Sequence, residues 1–572
     1  ISNEDVERAK VKYYSQVLYS LGSVKNKVSR LAAYQTFAST ANYVAEDANR
    51  YKAVSREDVL RVFRQYIYQK NCVNLTFYDE PHKELLPSTD NSFFERTGLD
   101  NIRLAKGAVE PPVVNDSFDR NEKPNGDTAP TVTVPELYEA SYANGINLMG
   151  TYNGESPTLS MQLQFKGGSM CDPLGQSGRA ALFSRMFKES GEHLSAEEIS
   201  AQLELLGSSI NAQATKENFS IVVRCLKENF MKTMGILEEL MMHPSFVEAE
   251  LIRVKNEHKE FLAYQNDETE ILANRTFYEG IYGKEHRLGR PASGRFEETD
   301  QIDREALLKY RSEVLQPDNC LIAVSGDIKR VELEKGIGFL INDWSGHHSV
   351  SLEMTQAGFP GKGLIWVRHK EGAAQSEIRI GYPAMPYSAT GDYFRAAIMN
   401  YPLGSAFNSR INLNLREDKG YTYGARSYFS GGAYNGPYIA SAAVGVDVTA
   451  NAVKEFMFEI SNYRNNGATD EELTFTKNSL LYRDALKYET NSQKVSLMMR
   501  MLQFGLVKDF IYKQKEIMTN IAASEVNQLA QKFLPVDDML IVVAGDKDKI
   551  VEPLKDLGLA EVVVIEDSSI NA

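Results

Sequence analysis

The feature that most constrains this chain is internal repetition. Residues 1–80 align with 468–547 without a gap, at a constant offset of 467. ISNEDVERAK answers ATDEELTFTK, NKVS at Asn26–Ser29 answers QKVS at Gln493–Ser496, and REDVLRVFRQYI answers ASEVNQLAQKFL. A third copy of the closing part ends in NCLIAVSGD at Asn319–Asp327, parallel to DMLIVVAGD at Asp538–Asp546 and NCVNLTFYD at Asn71–Asp79. Each copy reads as helix, buried strand, turn, so the chain is expected to fold as a tandem array of one supersecondary unit.

Two full openings match these endings. Asn144-Gly145 followed by TLSMQLQFKGG, where Leu159, Met161, Leu163 and Phe165 alternate, predicts a hairpin opening a sheet. Its counterpart is GLIWVRHKEGAAQSEIRIGYPAMP, with Ile378 and Ile380 alternating. The expected organisation is a rear remnant of a preceding unit at 1–85, a Pro/Asn/Asp-rich linker at 86–128, and full units at 129–346 and 350–567. On this reading the chain starts inside a domain. In the first full unit HLSAEEISAQLELLG carries a capping box at Ser195 and Glu198, an apolar stripe at Ile199, Leu203 and Leu206, and a terminal Gly207. Phe230, Met234, Leu237 and Met241 repeat the pattern, as do Val453, Phe456, Met457 and Ile460 in the second. Helices on one face of a mainly antiparallel sheet make each unit α+β.

A hydrophobic content of 43% in 572 residues supports several cores, and a net charge of −14 argues against a nucleic-acid partner. No apolar run approaches the roughly 18 residues of a membrane span, which predicts a soluble chain and leaves cytoplasm and periplasm both open. Cys72, Cys171, Cys225 and Cys320 are too widely spaced for a zinc knot and read as free thiols. His82, His193, His243, His258, His286, His347, His348 and His369 show no ligand spacing on a common helix.

One stretch carries the chemistry. LREDKGYTYGARS at Leu415–Ser427 reads as a helix end, with Ile411 and Leu415 at helical spacing, stopped by Gly420 and turning into an aromatic strand. Arg416 on the last turn and Tyr423 on the strand offer a planar donor fork and a phenolic hydroxyl suited to a peptide carbonyl, or a structural Arg stacked on a neighbouring Tyr. Aligning Gly207 with Gly420 puts Leu203 where Arg416 stands and Ile210 where Tyr423 stands, an apolar version against a polar one. Tyr421 is expected on the opposite strand face.

The segments QFKGGSMCDPLGQSGRAALFSRMFKESGEHLSAEEISAQLELLGSSINA, FYEGIYGKEHRLGRPASG and LGSAFNSRINLNLREDKGYTYGARS together resemble the pitrilysin/insulinase family of zinc metallopeptidases. The resemblance implies tandem α+β units paired face to face, with zinc held by an H-x-x-E-H helix and a later Glu. Here the matching slot is Ala181-Leu182-Phe183-Ser184-Arg185, so the ligand and base positions Ala181, Ser184 and Arg185 carry neither His nor Glu. The later Glu falls near Glu260 and Phe261. This chain is therefore expected to hold no metal and to be inactive alone, zinc residing in an N-terminal catalytic half or a homologous catalytic subunit. Arg416 and Tyr423 match the family's substrate-binding Arg and Tyr. The resemblance implies a non-catalytic half that encloses peptide or unfolded polypeptide. The alternatives are a catalytically dead scaffold subunit and a chaperone-like peptide holder.

Overall fold

The computed structural model describes residues 1–72, 75, 76, 84, 119, 134–189, 191–348, 352, 354–484 and 486–565. Contacts divide the chain into two units, Ile1–Asn3 with Val54–Ala129, and Glu4–Ala53 with Pro130–Ala572. The expected linker at 86–128 lies outside the described residues apart from Asp119, as does most of the expected strand at Asn71–Asp79. In the smaller unit, helix Arg56–Tyr66 opens with a capping box: the Ser55 hydroxyl accepts the Asp58 N–H, and the Asp58 carboxylate accepts the Ser55 N–H.

The larger unit is built on two six-stranded sheets. The first comprises β1 (Tyr138–Ser141), β2 (Asn147–Tyr152), β3 (Thr158–Lys166), β4 (Ser209–Ala214), β5 (Asn218–Leu226) and β6 (Cys320–Gly326), in the order β1-β2-β6-β3-β5-β4. The second comprises β7 (Leu364–His369), β8 (Gln375–Met385), β9 (Ala425–Phe429), β10 (Gly436–Gly445), β11 (Leu540–Gly545) and β12 (Glu561–Ile565), in the order β12-β7-β11-β8-β10-β9. Five strands correspond one to one. The sixth does not: β1 joins β2 as an antiparallel hairpin through the left-handed Gly145 (φ 98°), whereas β12 arrives after helix Lys547–Asp556 and lies parallel to β7. Most neighbours in both sheets are antiparallel, the exceptions being β2 with β6 and β7 with both β11 and β12.

Alternation works as expected on the inner faces. Leu159, Met161, Leu163, Phe165, Ile378 and Ile380 are buried against each unit's own helices, Phe230–Met242 among them in the first and Thr449–Asn466 in the second. The Ser195–Glu198 capping box forms, and Gly207 takes the left-handed conformation that ends its helix.

The outer faces are also covered, and each by the other unit. Helix Asn491–Phe504 of the second unit packs on β2, β3 and β6, burying Val495, Met498 and Met499 with Met149 and Ala323. Helix Thr269–Tyr282 of the first unit packs on β8 and β11, burying Phe277 and Ile281 with Leu540 and Val542. The approach is close: a Cβ on Gly280 would collide with Leu540. Ser160 and Gln164 of β3 are therefore buried although polar, and they meet partners across the interface, as where the Gln164 amide donates to Gln503 at 3.1 Å.

The repeat is visible in the helices. Asn3–Ser20, Val24–Ala38 and Arg56–Tyr66 begin at the same offset from Asp470–Asp484, Asn491–Phe504 and Ala523–Phe533. Their environments differ, since Val24–Ala38 contains no buried residue.

Candidate functional site

Arg416 sits on a wide helical turn, Leu413–Asp418, that continues the short helix Arg410–Asn412. Ile411 and Leu415 are wholly buried beneath it. Arg410 grips both Glu472 oxygens at 2.6 and 2.7 Å, and the Asn414 amide donates to Glu455 and Glu459, so the turn is tied to two neighbouring helices. Gly420 (φ 66°) closes it, and the Tyr421 N–H reaches back to the Leu415 carbonyl at 2.8 Å.

The Arg416 guanidinium lies 4.7 Å over the ring of the exposed Phe407, and its Nε is 3.4 Å from Glu417. The stacking partner is thus a Phe rather than a Tyr, and the Arg416 side chain is 35% exposed. Tyr423 is not on the strand, which begins only at Ala425. The Thr422 hydroxyl bonds both the carbonyl and the N–H of Gly424, forming a small turn that competes with strand pairing. That turn turns Tyr423 out, leaving it 93% exposed, while Tyr421 packs against the second core. Arg416 and Tyr423 do not hydrogen-bond each other.

The segment that the resemblance aligns with the zinc motif holds other chemistry. Helix Arg179–Met186 presents Ala181, Ser184 and Arg185 on its accessible side, and the Ser184 hydroxyl is turned back onto the Ala181 carbonyl at 2.7 Å. Arg185 reaches helix Glu248–Asp267 and lies 4.7 Å over the ring of Phe261, beside the exposed Glu260. The two segments do meet in space, through a cation over an aromatic face. Ala181, Ser184, Arg185 and Phe261 supply no imidazole or carboxylate, and the guanidinium would repel Zn²⁺, so these residues do not fit the metal. One turn away His258 is buried, its Nε2 3.0 Å from the Ser293 carbonyl and its ring stacked on Phe261. Burial first, and Arg185 second, push its pKa down to about 4.

Sequence spacing missed one grouping. His193 and His243, fifty positions apart, come together edge to face with Glu192 beside them. No periodicity could reveal a pair supplied by two loops. A cavity of about 650 Å³, lined by Gln164, Lys216, Tyr278, Tyr387, Arg500 and Phe504 among others, separates the first sheet from the second unit's loops. Among the described residues no helix is long and apolar enough to cross a membrane.

Two α+β units, each with a six-stranded sheet and helices, set the class of fold, and comparison with known proteins gives the family. Residues 151–290 match the insulinase (peptidase family M16) profile, and 301–480 match that of the peptidase M16 inactive domain. The chain belongs to the M16, or insulinase, family. It is 22% identical to an uncharacterized zinc protease of Bacillus subtilis named YmxG, over 62% of this chain and 85% of that protein. It is equally 22% identical to a non-peptidase homolog of Helicobacter pylori, over 69% and 90%. The crystal structure of a peptidase M16 inactive domain from Pseudomonas fluorescens superposes with a TM-score of 0.66 at 22% identity, covering 72% of this chain and 98% of that one.

Proposed function

We propose that this chain is the non-catalytic, substrate-binding half of a pitrilysin/insulinase-type zinc peptidase, closing over extended peptides while a separate catalytic half carries the zinc. The observation that carries this reading is the 93% exposure of Tyr423, on the loop that leaves the buried and braced turn bearing Arg416. A hydroxyl held out from a rigid support is poorly explained by packing and well explained by a ligand. Arg416 grips the peptide backbone, and Tyr423 donates to the scissile carbonyl oxygen as it gains charge. The neighbouring β9 is the last strand of its sheet, but its outer edge is already occupied, the Ala425 N–H donating to Asn412 and the Ser427 carbonyl accepting from Asn400 and Ser405, so capture rests on Arg416 and Tyr423 rather than on strand pairing.

The test is reconstitution with a catalytic subunit bearing H-x-x-E-H and a fluorogenic peptide. Arg416→Ala with Tyr423→Phe should lower kcat/KM by about 10-fold or more without changing subunit association. Normal turnover by the double variant rejects the role. A scaffold without proteolytic duty is the second reading, favoured by the relative named a non-peptidase homolog. It predicts that no catalytic subunit gains activity from this chain.

A further inference from the structure

The strongest unassigned constellation lies away from both sites described above. Gly191 and Pro244 form an isolated antiparallel bridge, the Glu192 N–H donates to the His243 carbonyl at 2.8 Å, and the Ser245 hydroxyl donates to the Gly191 carbonyl at 2.8 Å. The backbone therefore fixes two sequence-distant loops against each other. Across that seam the imidazoles of His193 and His243 stand 5.2 Å apart, centroid to centroid, at 78°. One ligand atom from each of Glu192, His193 and His243 lies within 4.8 Å of the other two.

A supporting carboxylate orients the first imidazole. Glu239, on helix Phe230–Met242 and only 9% exposed in its side chain, accepts the His193 backbone N–H at 2.6 Å and sits 2.9 Å from His193 Nδ1. That contact places the ring proton on Nδ1 and leaves the Nε2 lone pair free, the arrangement by which a carboxylate prepares a histidine for a metal. His243 Nδ1 and Glu192 Oε2 are 3.9 Å apart, too far for a hydrogen bond, so neither is satisfied by the other. All three side chains are solvent-accessible, at 64%, 64% and 45% for Glu192, His193 and His243.

We propose that Glu192, His193 and His243 form a two-histidine, one-carboxylate site for a divalent transition-metal ion of the zinc class, water completing the fourth position. Tetrahedral zinc bonds of 2.0–2.1 Å put neighbouring donors about 3.3 Å apart, so the ligands must draw in by about 1.5 Å. Exposed side chains on a fixed backbone seam can do this by rotamer change alone. The ion would tie the loop that enters helix Ala196–Leu205 to the end of helix Phe230–Met242. It would be a structural clamp, independent of Arg416 and Tyr423.

The full chain, stripped with chelator and titrated with ZnCl2 by calorimetry, should bind one ion at micromolar concentration or below, and Co²⁺ should give a visible ligand-field band. His193→Ala, His243→Ala and the isosteric, exposed Glu192→Gln should each weaken binding about 10-fold or more, as loss of even an outer-sphere partner does. Saturating zinc should raise the melting midpoint of the wild type and not of the His193→Ala, His243→Ala double variant. Zinc binding that survives undiminished in the double variant, or binding by the wild type only at millimolar zinc, overturns the proposal.

Discussion

The two units put the same glycine-stopped loop to opposite uses. In the first, β4 begins two residues after Gly207, so Ile210 falls inside the strand and is 1% exposed, with Leu203 buried on the preceding helix. In the second, β9 begins five residues after Gly420, Tyr421 takes the core contact, and the Thr422–Gly424 turn sends Tyr423 to solvent. A delay of three residues in strand onset converts a packing position into a presented hydroxyl. Helix Arg179–Met186 shows the reverse, because Arg185 of the first unit finds its partner, the ring of Phe261, within its own unit.

Transplanting the second unit's residues into the first is the severest way to break this comparison. Leu203→Arg with Ile210→Tyr buries an unpaired charge and overpacks a closed core, and should cost more than about 4 kcal/mol in urea denaturation. A second pair of repeat-related positions sharpens the lesson. Met498 is fully buried and Leu31, at the same offset, is 44% exposed. Met498→Ala should cost about 2–5 kcal/mol, and Leu31→Ala no more than about 0.5 kcal/mol. Equal losses would mean that helix Val24–Ala38 is buried in solution.

The slot has its own pH signature. His258 titrates in the folded protein at about 4, below its ordinary 6.5, so the stability it contributes is complete above pH 6.5 and is lost as pH falls toward 4. His258→Gln should flatten that fall by roughly 1–3 kcal/mol between pH 6.5 and 4. Arg185→Met should move the His258 NMR titration upward, since the guanidinium is one of the two causes holding it down. The smallest effect belongs to Tyr423→Phe, which should leave the unfolding midpoint unchanged within about 0.5 kcal/mol, because nothing packs on that ring.

Much of this architecture is written locally. The alternation of Leu159, Met161, Leu163 and Phe165, the Ser195–Glu198 box and the stops at Gly207 and Gly420 all act through near neighbours, and each forms as its pattern predicts. The M16 assignment and the α+β class were legible for the same reason. What the pattern did not carry is non-local. Ser160 and Gln164 look solvent-facing by alternation, yet Ser492 and Gln503 arrive from more than three hundred residues away to cover them. The aromatic run YTYGARSYF reads as one strand, but the Thr422 hydroxyl captures the backbone first and shortens it. Glu192, His193 and His243 meet only because two loops are bridged, which no spacing encodes.

The crossed placement of helices Thr269–Tyr282 and Asn491–Phe504 has a consequence for how the molecule can come apart. Neither sheet owns both of its walls, so neither unit is a finished object that could be excised and kept. Nicking the segment between them should leave two polypeptides that travel as one particle, and melting should proceed as a single event. Neither copy of such a pair can be lost without stripping a wall from the other.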